Sequence, residues 1–198
     1  SVYTKETTNS AELLFFTNHA QVYKSRASEF ADTKASVLGD YVASKLEMEE
    51  GEVPLFMTVT VDYRGYMLFF YQNGKCAKIP LASYMTKQNR RKLLKAYSDK
   101  EELAAMLHIE EETELAVFTS GGTGGPRLIL VGSALIPEKA TRDTAGINMV
   151  TLKKNARIAK VRPAAGLELK DPHRYRVRTL PAAGALLRQE DTTEQMSL

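Results

Sequence analysis

The 198-residue chain is 43% hydrophobic and 26% charged, with a formal net charge of +3, ordinary proportions for a globular protein long enough to bury a core. No apolar run nears the roughly 20 residues that cross a membrane, and Ser1 to Ser10 lack the basic flank and apolar stretch of a signal peptide, so the expected compartment is the cytoplasm. One cysteine and three scattered histidines exclude a disulfide framework and a cysteine-based zinc site built within the chain.

In chain order, the first element is Leu13-Leu14-Phe15-Phe16-Thr17 followed by Gln21-Val22-Tyr23-Lys24, two strand-like stretches around a tight turn at His19-Ala20. His19 there reads as a solvated turn residue. Thr33-Lys34 follows, then an acidic connection through Glu47, Glu49, Glu50 and Glu52. Phe56 to Tyr63 reads as a strand in which Val59 and Val61 alternate with Thr58, Thr60 and Asp62, as in a sheet with one wet face. Met67 to Tyr71 and Lys75-Cys76-Ala77-Lys78 repeat the hairpin around Asn73-Gly74, a dipeptide whose tolerance of positive φ predicts a type I′ turn. Cys76 takes the place of Val22 and reads as a packed strand residue.

Residues 75 to 95 carry Lys75, Lys78, Lys87, Arg90, Arg91, Lys92 and Lys95 without an acidic residue. The run suits a polyanionic partner, and Glu47, Glu49 and Glu50 are the countercharges that would make it a merely solvated face. Ser98 with Glu101 fits a capping box, and Leu103, Met106 and Leu107 recur at helical spacing, which predicts a short helix over about 99–107; the extended look of the matching parts of the other copies pulls the other way. Leu115 to Thr119 is a third, weaker copy of the opening strand. Its turn widens into Ser120-Gly121-Gly122-Thr123-Gly124-Gly125-Pro126, which lacks the Gly-Lys-Ser/Thr and the helix of a phosphate cradle and reads as a flexible hairpin loop. Thr141-Arg142 then matches Thr33-Lys34 and Thr86-Lys87, Ile147 to Leu152 reads as a strand, and Lys153, Lys154, Arg157, Lys160 and Arg162 extend the basic pattern. Within 163–188, Arg174 to Leu180 alternates basic with apolar residues like a final strand, and 189–198 reads as a disordered tail.

The three copies start at 13, 67 and 115, about 50 residues apart, a period typical of propeller blades. The expected fold is therefore all-β and propeller-like over residues 1–162. Charge is uneven along it: 14 basic against 17 acidic residues up to 119, then 13 against 7. No serine-nucleophile, zinc-helix, P-loop or Cys-His motif is present, so the residues point to binding rather than catalysis. Duplex DNA presents a charge every ~1.7 Å of axis, and a protein following it must repeat its cations at steps. Lys34, Lys87 and Arg142 recur once per copy, each beside a threonine hydroxyl able to reach a phosphate oxygen. No recognition helix reads bases; Phe15, Phe16, Phe69 and Phe70 could stack on unpaired ones.

Leu13 to Lys24, with its Leu-Leu-Phe-Phe-Thr-Asn-x-x-Gln-Val-Tyr-Lys pattern, resembles the blade signature of the C-terminal domain of the type IIA topoisomerase A subunit, found in DNA gyrase and topoisomerase IV. Thr141-Arg142-Asp143-Thr144-Ala145-Gly146-Ile147 resembles the segment that follows in such blades. The resemblance covers about residues 11–162. It implies a β-pinwheel of about three four-stranded blades, as a ring or an open arc, that binds and bends duplex DNA on a basic rim. It implies no catalytic residue and no metal in this chain: the cleaving tyrosine and the dimer contacts lie in other parts of the A subunit, ATP binds the B subunit, and magnesium serves the complete bacterial enzyme on the nucleoid. Phosphate contacts then fall to Lys34, Lys87, Arg90, Arg91, Lys92, Arg142, Lys153 and Lys154. Gyrase A subunits carry a heptapeptide box, Gln-Lys/Arg-Arg-Gly-Gly-Lys/Arg-Gly, that is absent here, so the resemblance leans toward topoisomerase IV. The rival expectation is a propeller that grips a protein partner and leaves DNA alone.

Overall fold

The structure, a computed structural model, describes residues 10–30, 38–87 and 90–192. Among the described residues, twelve strands form three four-stranded sheets joined by antiparallel pairing. Sheet 1 runs β3 (Pro54–Thr60), β1 (Glu12–Thr17), β2 (Val22–Arg26), β6 (Lys92–Leu93). Sheet 2 runs β10 (Ile147–Asn148), β5 (Lys75–Pro80), β4 (Tyr66–Tyr71), β7 (Leu103–Ile109). Sheet 3 runs β11 (Ala156–Pro163), β8 (Glu114–Gly121), β9 (Arg127–Gly132), β12 (Ala185–Leu186). In each, a hairpin supplies the two central strands, as the repeat predicts. The closing strand of sheets 1 and 2 arrives from beyond the next hairpin: β6 follows β5, and β10 follows β9.

The two tight turns share one geometry, and it is not type I′. Gly74 N–H donates to Tyr71 O at 3.0 Å and Ala20 N–H to Thr17 O at 3.2 Å. Gly74 has φ +97° and Ala20 +55°, whereas Asn73 is not in the positive region that a type I′ turn requires. Each loop is a type I turn closed by one left-handed residue. Gly74 is needed there twice over, because a Cβ would lie 2.5 Å from Val150 O. A close approach likewise explains Gly146, where β10 begins: a Cβ would lie 2.1 Å from Cys76 O.

Three expectations change. The helical spacing over 99–107 belongs to a strand, β7, whose Met106 and Leu107 face Phe69 and Leu68 of β4 across an antiparallel ladder; distant pairing overrides a short local pattern. A helix lies instead at α1 (Leu38–Lys45). Arg174 to Leu180 is not a strand: Pro172 opens a 3-10 turn through Arg174, and pairing reduces to one bridge between Arg176 and Leu130. Of the 189–198 tail, Gln189–Asp191 forms a 3-10 turn with Asp191 buried, accepting from Tyr175 OH at 2.6 Å and Lys170 N–H at 3.0 Å, while 193–198 lie outside the described residues.

The chain divides into two compact units, residues 1–64, 80–99 and 141–143, and residues 65–79, 100–140 and 144–198. In the first, successive side chains of β1 leave by opposite faces of sheet 1. Leu13 and Phe15 pack with Tyr23, Phe30, and Val42 of α1, while Phe16 meets the Tyr84 ring edge-on at 5.1 Å. On β3 and the residue after it the alternation is reversed from hydrophobic-in: Thr58 and Thr60 are 9% and 5% exposed, Val59 and Val61 46% and 49%. Thr60 Oγ1 accepts the Tyr63 N–H at 2.8 Å, which keeps that hydroxyl satisfied inside.

In the second unit, Leu68, Phe70 and Cys76 of sheet 2 join Leu115, Val117, Ile129 and Val131 of sheet 3 in one core. Each such side chain contributes about 1.5–3 kcal/mol by leaving water. Burial pushes the Cys76 thiol pKa far up, so it is a packing residue. The other face of sheet 3 carries Ala116, Phe118 and Leu128, covered by Tyr175, Leu167 and Leu169. All four phenylalanines at 15, 16, 69 and 70 are buried, which rules out stacking on bases.

Candidate nucleic-acid interface

After β5 the first unit makes a 3-10 turn, Leu81–Tyr84, and runs on through Met85, Thr86 and Lys87 to Arg90, Arg91 and β6. Tyr84 OH anchors it by donating to Ala96 O at 2.7 Å. Lys24 holds it from below: its Nζ reaches Thr86 O and Lys87 O at 3.4 Å each and lies 3.7 Å from Glu12. Arg90 N–H donates to Lys87 O at 2.9 Å. Thr86 Oγ1 donates to Arg90 O at 2.7 Å, so this hydroxyl serves the backbone rather than standing ready for a phosphate.

Arg142 comes to the same segment, its Nη1 donating to Ser83 O at 3.1 Å while its buried Nε has no acceptor. The structure thus brings together Lys87, Arg90 and Arg142, of which Lys87 and Arg90 are exposed and form no ion pair among the described residues. Arg91 and Lys92 are different. Arg91 lies 3.4 Å from Glu29, and Lys92 lies 3.1 Å from Glu49 with its ammonium 5.6 Å from the Tyr23 ring centre. Such pairs add little stability at a surface, but each occupies a cation that the sequence places on a phosphate.

Lys153 and Lys154 belong to the second unit, on a tight turn closed by Ala156 N–H donating to Lys153 O at 2.9 Å. Both are exposed and form no ion pair among the described residues. Lys34 lies outside the described residues. Sequence reasoning missed Lys24, although its signal was present: it occupies the same place in the first hairpin as Lys78 in the second. Lys78 is buried, donating to Glu112 at 2.5 Å and Ser133 O at 3.1 Å, with its ammonium 4.4 Å from the Tyr66 ring centre. Burial works against the Glu112 carboxylate, yet the hydrogen bonds from Lys78 and Ser133 outweigh it and hold the pKa below its ordinary value.

The acidic connection is not merely solvated, because two of its carboxylates converge on His19. His19 Nδ1 lies 3.2 Å from Glu49, and His19, Glu49 and Glu52 offer donor atoms within 4.8 Å of one another. Those atoms are already engaged. Glu52, buried, accepts from Thr17 Oγ1 at 2.5 Å, Tyr23 OH at 2.7 Å and Glu49 N–H at 2.9 Å. Glu49 accepts from Gln21 Nε2 at 3.1 Å and from Lys92, and these bonds, with that from His19, hold its pKa at about 2. With an ammonium beside it and its lone pairs taken, the group acts as a polar brace between the first turn and residues 49–52.

A scan of known protein families finds no match, and no curated protein matches the sequence. Solved structures do. The C-terminal domain of DNA topoisomerase IV superposes with TM-score 0.71 at 18% identity, over 90% of this chain and 59% of that one. The DNA gyrase A C-terminal domain gives 0.61 at 13% identity, over 92% and 63%. The E. coli ParC C-terminal domain gives 0.63 at 11% identity, over 91% and 78%. The chain has the β-pinwheel fold of these topoisomerase C-terminal domains. Its three four-stranded sheets are the blades of that fold, and in sheets 1 and 2 the closing strand comes from beyond the next hairpin along the chain. It spans about 59% of the topoisomerase IV domain and 63% of the gyrase domain. No helix among the described residues is long and apolar enough to cross a membrane.

Proposed function

We propose that this chain is a DNA-binding and DNA-bending domain of a bacterial type IIA topoisomerase A subunit, more like topoisomerase IV than gyrase because it lacks the heptapeptide box. It holds duplex DNA on exposed cations while the complete cytoplasmic enzyme passes strands. In this reading ATP, magnesium, the B subunit, dimerisation and the cleaving tyrosine belong to the rest of that enzyme. The observation that carries the reading is the pinwheel fold together with Lys87, Arg90, Lys153 and Lys154, four exposed cations without a carboxylate partner among the described residues. Arg142 adds a guanidinium fixed by Ser83 O. Arg91 and Lys92 contribute less, being tied to Glu29 and Glu49.

Fluorescence anisotropy of a labelled random-sequence duplex tests this. Binding should be tight at low salt and weaken with a log–log slope of about −0.9 per phosphate neutralised. The second reading, a protein-interaction propeller, draws on Val53, Leu55, Met57, Val59 and Val61, an exposed apolar ladder at every second position of β3 and its flanks. A duplex left unbound at low salt would favour it.

A further inference from the structure

Among the described residues each sheet has one two-residue edge strand and one long one, β3, β7 and β11 in turn. A long edge strand offers its free backbone groups to another chain unless charge, a bulge or a covering element blocks it. In the second unit such blocks are present: β11 carries Arg157, Lys160 and Arg162 with a register shift between Ile158 and Lys160, and it packs against β7. β3 is different. Val53 to Val61 contains no Lys, Arg, Asp or Glu, and Val53, Leu55, Met57, Val59 and Val61 are 40–52% exposed. Pro54 and the register shift beside it interrupt only the start of the strand.

The ladder shows which groups are open. Thr17 N–H donates to Gln21 O at 2.9 Å, so in β1 Thr17, Phe15 and Leu13 turn their backbone groups to β2, and Phe16, Leu14 and Glu12 turn theirs to β3. Opposite the latter stand Phe56, Thr58 and Thr60, which take up those bonds and leave Met57 and Val59 with N–H and C=O aimed at the open edge. The side chains of Met57 and Val59 lie on the exposed apolar row, so open backbone and apolar surface coincide. A strand that fits this edge is uncharged and apolar at alternate positions, and β3 itself meets both conditions. About a two-fold axis through Thr58, antiparallel pairing sets Met57 opposite the second copy's Val59 and Leu55 opposite its Val61, so the row meets itself and the open backbone groups bond each other. We propose that this chain pairs with a second copy of itself through β3. The contact is separate from the dimer contacts that the DNA-binding reading assigns to the rest of the enzyme, and it does not depend on that reading. A single strand edge buries less than the about 1,200 Å² of a standard interface, so the dimer is weak, with a Kd on the order of 100 µM.

Sedimentation velocity of the intact chain, at concentrations spanning that Kd, should show a monomer passing into a dimer and no larger species, because an isologous contact closes at two. Amide hydrogen exchange over the same range locates the contact: Met57 and Val59 should slow as the dimer fills, while Phe56 and Thr58, already bonded to β1, should not change. Leu55→Lys and Val59→Lys each set a lysine against an apolar partner and should weaken the dimer about tenfold or more, as edge lysines do, with the amide spectrum away from β3 and the affinity for duplex unchanged. A chain that stays monomeric throughout overturns the proposal and leaves the edge to a different protein or to a further stretch of a longer chain. A dimer that survives both lysines, protection that appears elsewhere than at Met57 and Val59, or assembly beyond two copies overturns it too, and exchange in the unsubstituted chain decides the matter even if a lysine variant fails to fold.

Discussion

The β1–β2 and β4–β5 hairpins are written in nearly the same residues, yet their shared lysine ends in different surroundings. Lys24 keeps 12% of its side-chain surface and spreads its charge over two carbonyls and a distant Glu12. Lys78 keeps 4% and commits itself to Glu112, which also accepts from the Ser133 hydroxyl. A repeat therefore sets the backbone of each copy, while what packs over that copy decides the energetic weight of each side chain.

The largest test of this contrast is to delete both ammonium groups. Lys78→Met takes the ammonium from Ser133 O and from Glu112, which keeps only the Ser133 hydroxyl, and should lower stability by about 3 kcal/mol, the low end for a broken buried pair because Glu112 sits at the rim. Lys24→Met should cost under about 1 kcal/mol. Urea unfolding measures both, and equal losses would erase the distinction.

The turns come next. Gly74→Ala places a Cβ 2.5 Å from Val150 O at φ +97° and should destabilise by about 2 kcal/mol. Ala20→Gly relieves a left-handed alanine at φ +55° and should stabilise by about 0.5 kcal/mol. Opposite signs from the two substitutions would show that the hairpins share one turn geometry.

The smallest effect concerns acid. The Glu49 pKa is depressed from 4.5 to about 2, so its contribution to stability is complete above the ordinary value and lost as pH falls toward the folded one. Glu49→Gln should therefore show a smaller fall in Tm between those pH values than the parent protein. An identical acid profile would mean that the His19–Glu49–Lys92 contacts do not persist in solution.

These contrasts also mark where the sequence is legible. The hairpins, the packed Cys76 and the blade period follow from local patterns of apolar residues, which record the core directly. Asn73-Gly74 marks the turn but not its type, because a left-handed glycine serves both a type I′ turn and a type I turn with a bulge. β7 is missed because Leu103, Met106 and Leu107 fit a helix as well as a strand whose partner is β4. The alternation of Val and Thr marks β3 as one-sided but not which side is exposed, because Thr60 satisfies its hydroxyl inside on the Tyr63 N–H. Among the candidate site residues, Lys92 loses its freedom to Glu49, 43 positions away, and no local window shows that pairing.

The decisive measurement is the salt dependence of duplex binding for two paired substitutions close together in sequence, Lys87→Gln with Arg90→Gln, and Arg91→Gln with Lys92→Gln. Loss of the two unpaired cations should reduce the log–log slope by about two units, and loss of the two carboxylate-bound ones by under one. If the second pair reduces the slope as much as the first, or neither changes it, the assignment of DNA contact to the unpaired cations is wrong.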